Sequence, residues 1–102
     1  MKKRRLELQA LLETLLESRN VYFQPPSDVT MKYPCIIYSR SDIDDTFANN
    51  STYIRKVAYT VTVVSKDPDN VIVSKIADLP SCTYNRSYVA DGLNHDTFTL
   101  YY

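Results

Sequence analysis

The chain has 102 residues, a length that suits one domain. Hydrophobic residues make up 44% of it and charged residues 24%, which is typical of a globular chain and excludes a disordered one. Twelve basic and twelve acidic residues give a formal net charge of zero, without the basic excess of a dedicated nucleic-acid-binding protein. The single glycine excludes the glycine-rich phosphate loops of nucleotide-binding domains.

The first 25 residues predict a helix followed by a short strand. Over residues 2–19, apolar side chains recur at three- and four-residue steps, which indicates an amphipathic helix rather than a signal peptide; they are Leu8, Leu11, Leu12, Leu15 and Leu16. Residues 20–23 predict a first strand, which Pro25 and Pro26 end. No run of 18 apolar residues occurs, so we expect an intracellular protein without a membrane span.

The central part predicts two strands joined by a polar arm. Residues 33–40 favour a strand, and residues 52–66 favour the longest one. In the longer strand, Val57, Tyr59, Val61 and Val63 share the face that we expect to contact the helices. The turn-rich stretch 41–51 has too few apolar residues to pack internally, so we predict that it projects as a mobile hairpin arm.

The last third predicts a helix and a hairpin. Asp67 is the expected N-cap, Pro68 the first helical residue, and Pro80 the end of the helix. Residues 82–89 alternate as a strand with Cys82, Tyr84, Arg86 and Tyr88 on one face, and 95–102 form the final strand. Between them, Asp91 and Gly92 predict the tight turn, because this position needs a positive φ.

These elements predict an α+β fold over residues 1–102, in the order α-β-β-β-α-β-β. Strands in consecutive pairs indicate hairpins, so the sheet should be mostly antiparallel. Two amphipathic helices on one face of that sheet give a two-layer sandwich.

Few residues in the sequence point to chemistry. His95 is the only histidine, and adjacent strand residues point to opposite faces, so it should not form a dyad with Asp96. Cys35 and Cys82 lie on different strands and could approach each other, but they lack metal-site spacing and are expected to be small buried side chains. We therefore expect a non-enzymatic protein with no catalytic residue, cofactor or metal.

Two groups of residues are candidates for contacts with other molecules. The arm provides a candidate subunit or ring interface made of Asp42, Asp44, Asp45, Phe47, Asn49, Asn50, Tyr53 and Arg55. The acidic residues of this arm lack the mid-loop glycine and terminal glutamate of a calcium loop. The helix start provides a candidate basic contact made of Lys2, Lys3, Arg4 and Arg5, which is too short for sequence-specific readout.

Several stretches in this order resemble one family of phage proteins. They are Asn20-Val21-Tyr22-Phe23-Gln24-Pro25-Pro26, Tyr33-Pro34-Cys35-Ile36-Ile37-Tyr38, Tyr59-Thr60-Val61-Thr62-Val63, Asp67-Pro68-Asp69 and Ala90-Asp91-Gly92-Leu93-Asn94-His95-Asp96. Nearly the whole chain is covered. The resemblance is to the tail terminator or tail completion proteins of the head–tail neck of tailed bacteriophages.

This resemblance implies a structural protein of the virion, assembled in the host cytoplasm. It implies a homo-oligomer, a hexameric ring that caps the tail tube and joins it to the head–tail connector proteins. The expected partners are the tail tube protein and, in a contractile tail, the sheath, while DNA passes through the lumen without being read. The family offers no catalytic motif. The alternatives are a head-closure or other connector ring protein, and a small regulatory binding module that is not an enzyme.

Overall fold

The elements follow the predicted order in a computed structural model that describes residues 2–25, 32–47, 53–67 and 69–102, with backbone alone for 2–4, 42–47 and 53–56. Helix α1 is Lys2–Leu16, and helix α2 is Val71–Ala77. The strands are β1 (Val21–Phe23), β2 (Cys35–Phe47), β3 (Tyr53–Ser65), β4 (Cys82–Ala90) and β5 (Leu93–Tyr101).

The five strands form one sheet in the order β1-β2-β3-β5-β4. β1 runs parallel to β2, and the other three pairs are antiparallel. Both helices pack on the same face, which gives a two-layer α+β sandwich. The predicted fold class and element order are therefore confirmed.

The core lies between the helices and the sheet face that the alternation in β3 predicts. Leucines of α1 and isoleucines of α2 meet β-strand side chains there, and the fully or nearly fully buried members are Leu8, Leu12, Leu16, Val21, Ile36, Tyr38, Val57, Tyr59, Val61, Val63, Ile72, Ile76, Phe98 and Leu100. Burying apolar area contributes roughly 25 cal/mol per Å², so this cluster is the main stabilising feature of the domain. The prediction for the helix-facing side of β3 is confirmed.

Helix α1 ends three residues earlier than its periodicity suggests. Glu17 has a φ of 59°, which takes the chain out of the helix. The Ser18 amide donates to the Glu13 carbonyl at 3.2 Å, and the Glu17 amide donates to the Thr14 carbonyl at 3.3 Å. These two bonds form a Schellman motif, which satisfies carbonyls at the helix end. Glycine is the usual residue at this positive-φ position, and Glu17 stands there instead. For that reason the sequence did not indicate where the helix ends.

Strand β2 runs to Phe47, whereas the sequence predicts its end at Arg40. The register shifts between Arg40 and Asp42, so Ser41 forms a bulge, and pairing with β3 then continues to Phe47. The Ser41 hydroxyl donates to the Ala58 carbonyl at 3.1 Å across this bulge. Within the stretch expected as a turn-rich arm, residues 42–47 are therefore paired with β3.

Helix α2 begins at Val71 with Asn70 as its N-cap, so the predicted cap at Asp67 is wrong. The Asn70 side-chain oxygen accepts from the Ile72 amide at 2.8 Å. Asp67 instead accepts from the Asp69 amide at 2.9 Å and closes a turn ahead of the helix. The predicted first helical residue, Pro68, lies outside the described residues.

Replacing Asn70 with alanine should lower the free energy of unfolding by about 1 kcal/mol, because the Ile72 amide loses its acceptor. Asp67→Ala is the matched control, since it removes a carboxylate next to the same helix without removing its cap. That control should stay within about 0.5 kcal/mol of the wild type. Urea denaturation measures both values, and a larger loss for Asp67→Ala would restore the sequence-based assignment.

Strand β4 contains a bulge that breaks its simple alternation. The register shifts between Tyr84, which pairs with Phe98, and Arg86, which pairs with Thr97. Because Phe98 is in the core and Thr97 faces away from it, Tyr84 and Arg86 lie on opposite faces. The prediction that Cys82, Tyr84, Arg86 and Tyr88 share one face is wrong. The following turn is as predicted, with φ of 53° at Asp91 and 73° at Gly92.

Two tyrosines are fully buried in the core, and they differ in whether the hydroxyl group has a hydrogen-bond partner. The Tyr38 hydroxyl donates to the Gln9 side-chain oxygen at 2.5 Å, and burial raises the pKa of Tyr38 above its usual value. The Tyr59 hydroxyl has no hydrogen-bond partner among the described residues. The two ring centroids lie 5.9 Å apart, so both side chains share one environment and can be compared directly.

Removing these hydroxyls one at a time should change the stability by different amounts. Tyr38→Phe should lower the free energy of unfolding by about 1 kcal/mol, because it leaves the Gln9 oxygen without its donor. Tyr59→Phe should leave stability unchanged or raise it by up to about 1 kcal/mol, since it removes a buried polar group that lacks a partner. Thermal unfolding followed by circular dichroism measures both, and equal losses would contradict this reading.

Candidate interaction surface

The basic cluster lies in the first turn of α1, and one of its members is engaged within the fold. The Arg5 guanidinium carbon lies 4.5 Å from the centroid of the Phe23 ring, within cation–π range. Arg5 also donates to the Tyr38 hydroxyl at 3.4 Å. Lys2, Lys3 and Arg4 precede it in the helix backbone. Arg5 thus anchors the start of α1 over the sheet, and the remaining three residues stay candidates for an external contact.

The arm residues lie on two strands that pair with each other. β2 carries Asp42, Asp44, Asp45 and Phe47, and β3 carries Tyr53 and Arg55. Asn49 and Asn50, also predicted as interface residues, lie outside the described residues.

The register of the arm brings opposite charges to paired positions. Asp45 is paired with Arg55, and Asp44 is paired with Lys56. Opposite charges at paired cross-strand positions stabilise a ladder by roughly 0.2–1 kcal/mol each. Asp42 differs, because its register partner is Ala58.

The far end of this hairpin extends beyond the rest of the described sheet. β1 pairs with β2 only as far as Tyr38, and β5 pairs with β3 only as far as Ala58. The five pairs from Ile43↔Val57 to Phe47↔Tyr53 therefore form a two-stranded arm. At about 3.4 Å per residue it reaches roughly 17 Å beyond the sheet. The principal extents of the molecule, 52 × 25 × 22 Å, reflect an elongated shape.

The face of the sheet opposite the helices carries a band of threonines. Thr60 is paired with Thr99 and Thr62 with Thr97, in adjacent central strands. All four side chains are half-buried. Threonine hydroxyls can donate and accept hydrogen bonds, so this band is polar.

A stacked group lies beside this band at the β4 side. The rings of Tyr88 and His95 are stacked, with centroids 4.7 Å apart and an interplanar angle of 11°. The Arg86 guanidinium lies 5.0 Å from the Tyr88 ring centroid. Two of these three residues belong to β4, which is the last strand of the sheet. Sequence reasoning did not identify this strand as an edge, because strand order depends on pairing between distant segments.

His95 and Asp96 do not form a dyad, in agreement with the sequence prediction. His95 is paired with Val64 and stacks on Tyr88, whereas the Asp96 carboxylate accepts from the Tyr84 hydroxyl at 3.0 Å. Within the described ranges, no group of three or more histidine, cysteine or acidic side chains is close enough to hold a metal ion.

The two cysteines are far apart, which corrects the expectation that they could approach each other. Cys35 is on β2 and Cys82 is on β4, and β3 and β5 lie between them. Three inter-strand spacings separate the strands by roughly 14 Å. Both thiols are free, and burial raises the pKa of Cys35 to about 11 and that of Cys82 above its usual value. A raised thiol pKa means little reactive thiolate at neutral pH.

In the part of the chain that the structure describes, neither helix is long and apolar enough to cross a membrane. A scan against models of known protein families matches none of them, and a search for similar curated proteins finds no match.

Proposed function

We propose that this chain is a structural subunit of the neck of a tailed bacteriophage. It acts as a tail terminator or tail completion protein. In this role, copies of the chain, six by the family resemblance, form a ring that caps the tail tube and joins it to the head–tail connector. DNA passes through the ring without being read. The protein is assembled in the host cytoplasm and resides in the virion.

The observation that carries this proposal is the two-stranded arm. A ladder of five residue pairs extends from a small sandwich by roughly 17 Å, a distance that spans much of a neighbouring subunit. Of the arm residues whose side chains the structure describes, Val57 at its base belongs to the core. A long paired extension of a small domain is well suited to hold adjacent molecules together.

The remaining surface also supports an assembly role. A net charge of zero gives little repulsion between copies, and in the arm acidic positions of β2 are paired with basic positions of β3. Ring subunits use two different patches that complement each other, so that contacts repeat around an axis and close. The arm and the opposite edge of the sheet are two such patches at different ends of one sheet.

The direct test is to inactivate the gene in the phage genome that encodes this protein and to image the particles by electron microscopy. A protein that caps the tube stops its polymerisation, so its loss should give filled heads without joined tails and tails of irregular, excess length. Complementation with the wild-type chain should restore joined particles of uniform tail length.

The same images distinguish the alternatives. Loss of a head-closure ring should leave tails of regular length and heads that lose their DNA. Loss of a regulatory binding module should leave particle structure unchanged. Either of these results would overturn the terminator proposal.

A further inference from the structure

The outer edge of β4 is a long strand edge that no described strand covers. β4 has nine residues and pairs with β5 on one side only. Seven of the nine side chains are exposed, among them Val89 at 70%, Tyr84 at 46% and Tyr88 at 40%. The strand contains no proline or lysine, and its one charged residue is Arg86.

Proteins usually protect such edges, because exposed backbone donors and acceptors pair with other chains. The other edge of this sheet shows that protection near the core. β1 is three residues long, the Gln24 amide donates to the Tyr38 carbonyl, and the Gln24 side-chain oxygen accepts from the Arg40 amide at 3.1 Å. In β4 the bulge between Tyr84 and Arg86 is the only comparable device among the described residues, and it leaves 86–90 in regular pairing with β5.

A second uncovered edge begins where the β1 side of the sheet stops. Beyond Arg40, the part of the chain that the structure describes places no strand beside β2 on that side. This edge, residues 41–47, has a length similar to that of β4. It contains three acidic residues, Asp42, Asp44 and Asp45, whereas β4 contains one basic and no acidic residue.

Two copies could pair through the β4 edge in two ways, β4 with β4 or β4 with residues 41–47, and the charges favour the second. In a symmetric pair of β4 strands, Arg86 finds no carboxylate in any register, and full-length pairing places the two Arg86 residues opposite each other. Like charges at opposite positions are destabilising. Pairing with the 41–47 edge instead brings Arg86 to an acidic strand. Asp42 is the best-suited acidic residue there, because its own register partner is Ala58 and not a basic residue.

We infer that β4 of one copy pairs edge to edge with residues 41–47 of a second copy, with Arg86 near Asp42. The two edges lie on opposite sides of the same sheet, so every subunit offers both and the contact repeats from copy to copy. The interface extends the sheet through backbone hydrogen bonds, and the charges set partner choice. The inference that this contact closes a ring rests on the proposed function. It adds to that function the surface, the β4 edge, that binds the arm of the next copy.

Charge reversal tests the contact in the full-length protein. Arg86→Glu and Asp42→Lys should each weaken self-association roughly fivefold or more, as measured by sedimentation velocity on concentrated protein. An equimolar mixture of the two variants should associate as well as the wild type. In that mixture the two reversed positions meet each other, and the unchanged Arg86 and Asp42 meet each other, so every contact again joins opposite charges. Recovery in the mixture also demonstrates that both variants are folded.

Lys75→Glu is the matched control, because it reverses a charge on the exposed surface of α2, and it should associate like the wild type. Stronger association in a mixture of wild type and Arg86→Glu would indicate a symmetric β4 pair and overturn the inference. Failure of the mixed variants to recover, or a wild type that stays monomeric at millimolar concentration, would also overturn it. None of these results depends on particle morphology, so the proposed function stands or falls separately on the gene inactivation.

Discussion

Deleting residues 44–50 should abolish the joining of tails to heads while leaving the domain folded. The deletion removes the end of the arm and leaves in place the buried core residues that the structure describes. The domain should therefore keep its circular dichroism spectrum, and its midpoint of thermal unfolding should move by only a few degrees. Assembly should fail because the shortened hairpin no longer reaches an adjacent molecule.

The measurement is complementation of the inactivated gene with the deletion variant, scored by infectious titre and by electron microscopy. Lys75→Ala, an exposed substitution on α2, is the control and should complement fully. Replacing 44–50 with a Gly-Ser segment of equal length separates reach from specific pairing, because such a segment is a poor strand former. Joined, infectious particles from the deletion variant would show that the arm is dispensable.

Phe98→Ala should have the largest effect on stability, a loss of about 3–5 kcal/mol. Phe98 is fully buried on β5, it is paired with Val61, and its ring meets Tyr84 edge to face at 5.3 Å. Its removal leaves a cavity in the core between the helices and the sheet. Domains of this size have only about 5–15 kcal/mol of net stability, so the variant should be partly unfolded near body temperature.

Tyr101→Ala is the matched control on the same strand. Tyr101 is an aromatic residue of similar size, but 43% of its side chain is exposed. The control should cost less than about 1 kcal/mol. Chemical denaturation of both variants measures the difference, and similar losses would mean that the core is not centred on Phe98.

Sequence reasoning succeeded where one local pattern determines the result. The leucine spacing of α1 and the alternation in β3 each identify a buried face without information from elsewhere in the chain, and both faces are in the core. The turn at Asp91 and Gly92 was equally predictable, since a positive φ at two successive residues strongly favours this pair.

The errors arose where two local signals competed. Asp67 and Asn70 are both good caps, and only the hydrogen bonds of the folded chain assign the role to Asn70. The stretch 41–51 predicts a projecting, turn-rich arm because it has few apolar residues, yet 42–47 pair with a segment that contains tyrosine, isoleucine and basic residues. Tertiary pairing outweighed the intrinsic preference of the aspartates.

Strand order was beyond sequence reasoning for a different reason. Whether β4 or β5 lies beside β3 depends on pairing between distant segments, since the residues paired between β3 and β5 are 29 to 43 positions apart in the chain. The position of β4 at the edge determines which of its residues can meet another molecule. The sequence therefore indicated the arm of the candidate site, but it did not indicate the β4 edge that is proposed to bind the arm of a neighbouring copy.

Because of the bulge in β4, the number of residues in this strand, and not their type, determines which side chains lie on the outer face of the sheet. One extra residue at Asn85 reverses the alternation, so that Arg86 and Tyr88 lie on the threonine side rather than over the helices. Loss of that single residue would exchange the two sets of side chains along the rest of the strand. Related sequences that keep this spacing should preserve the same surface even where the individual amino acids differ.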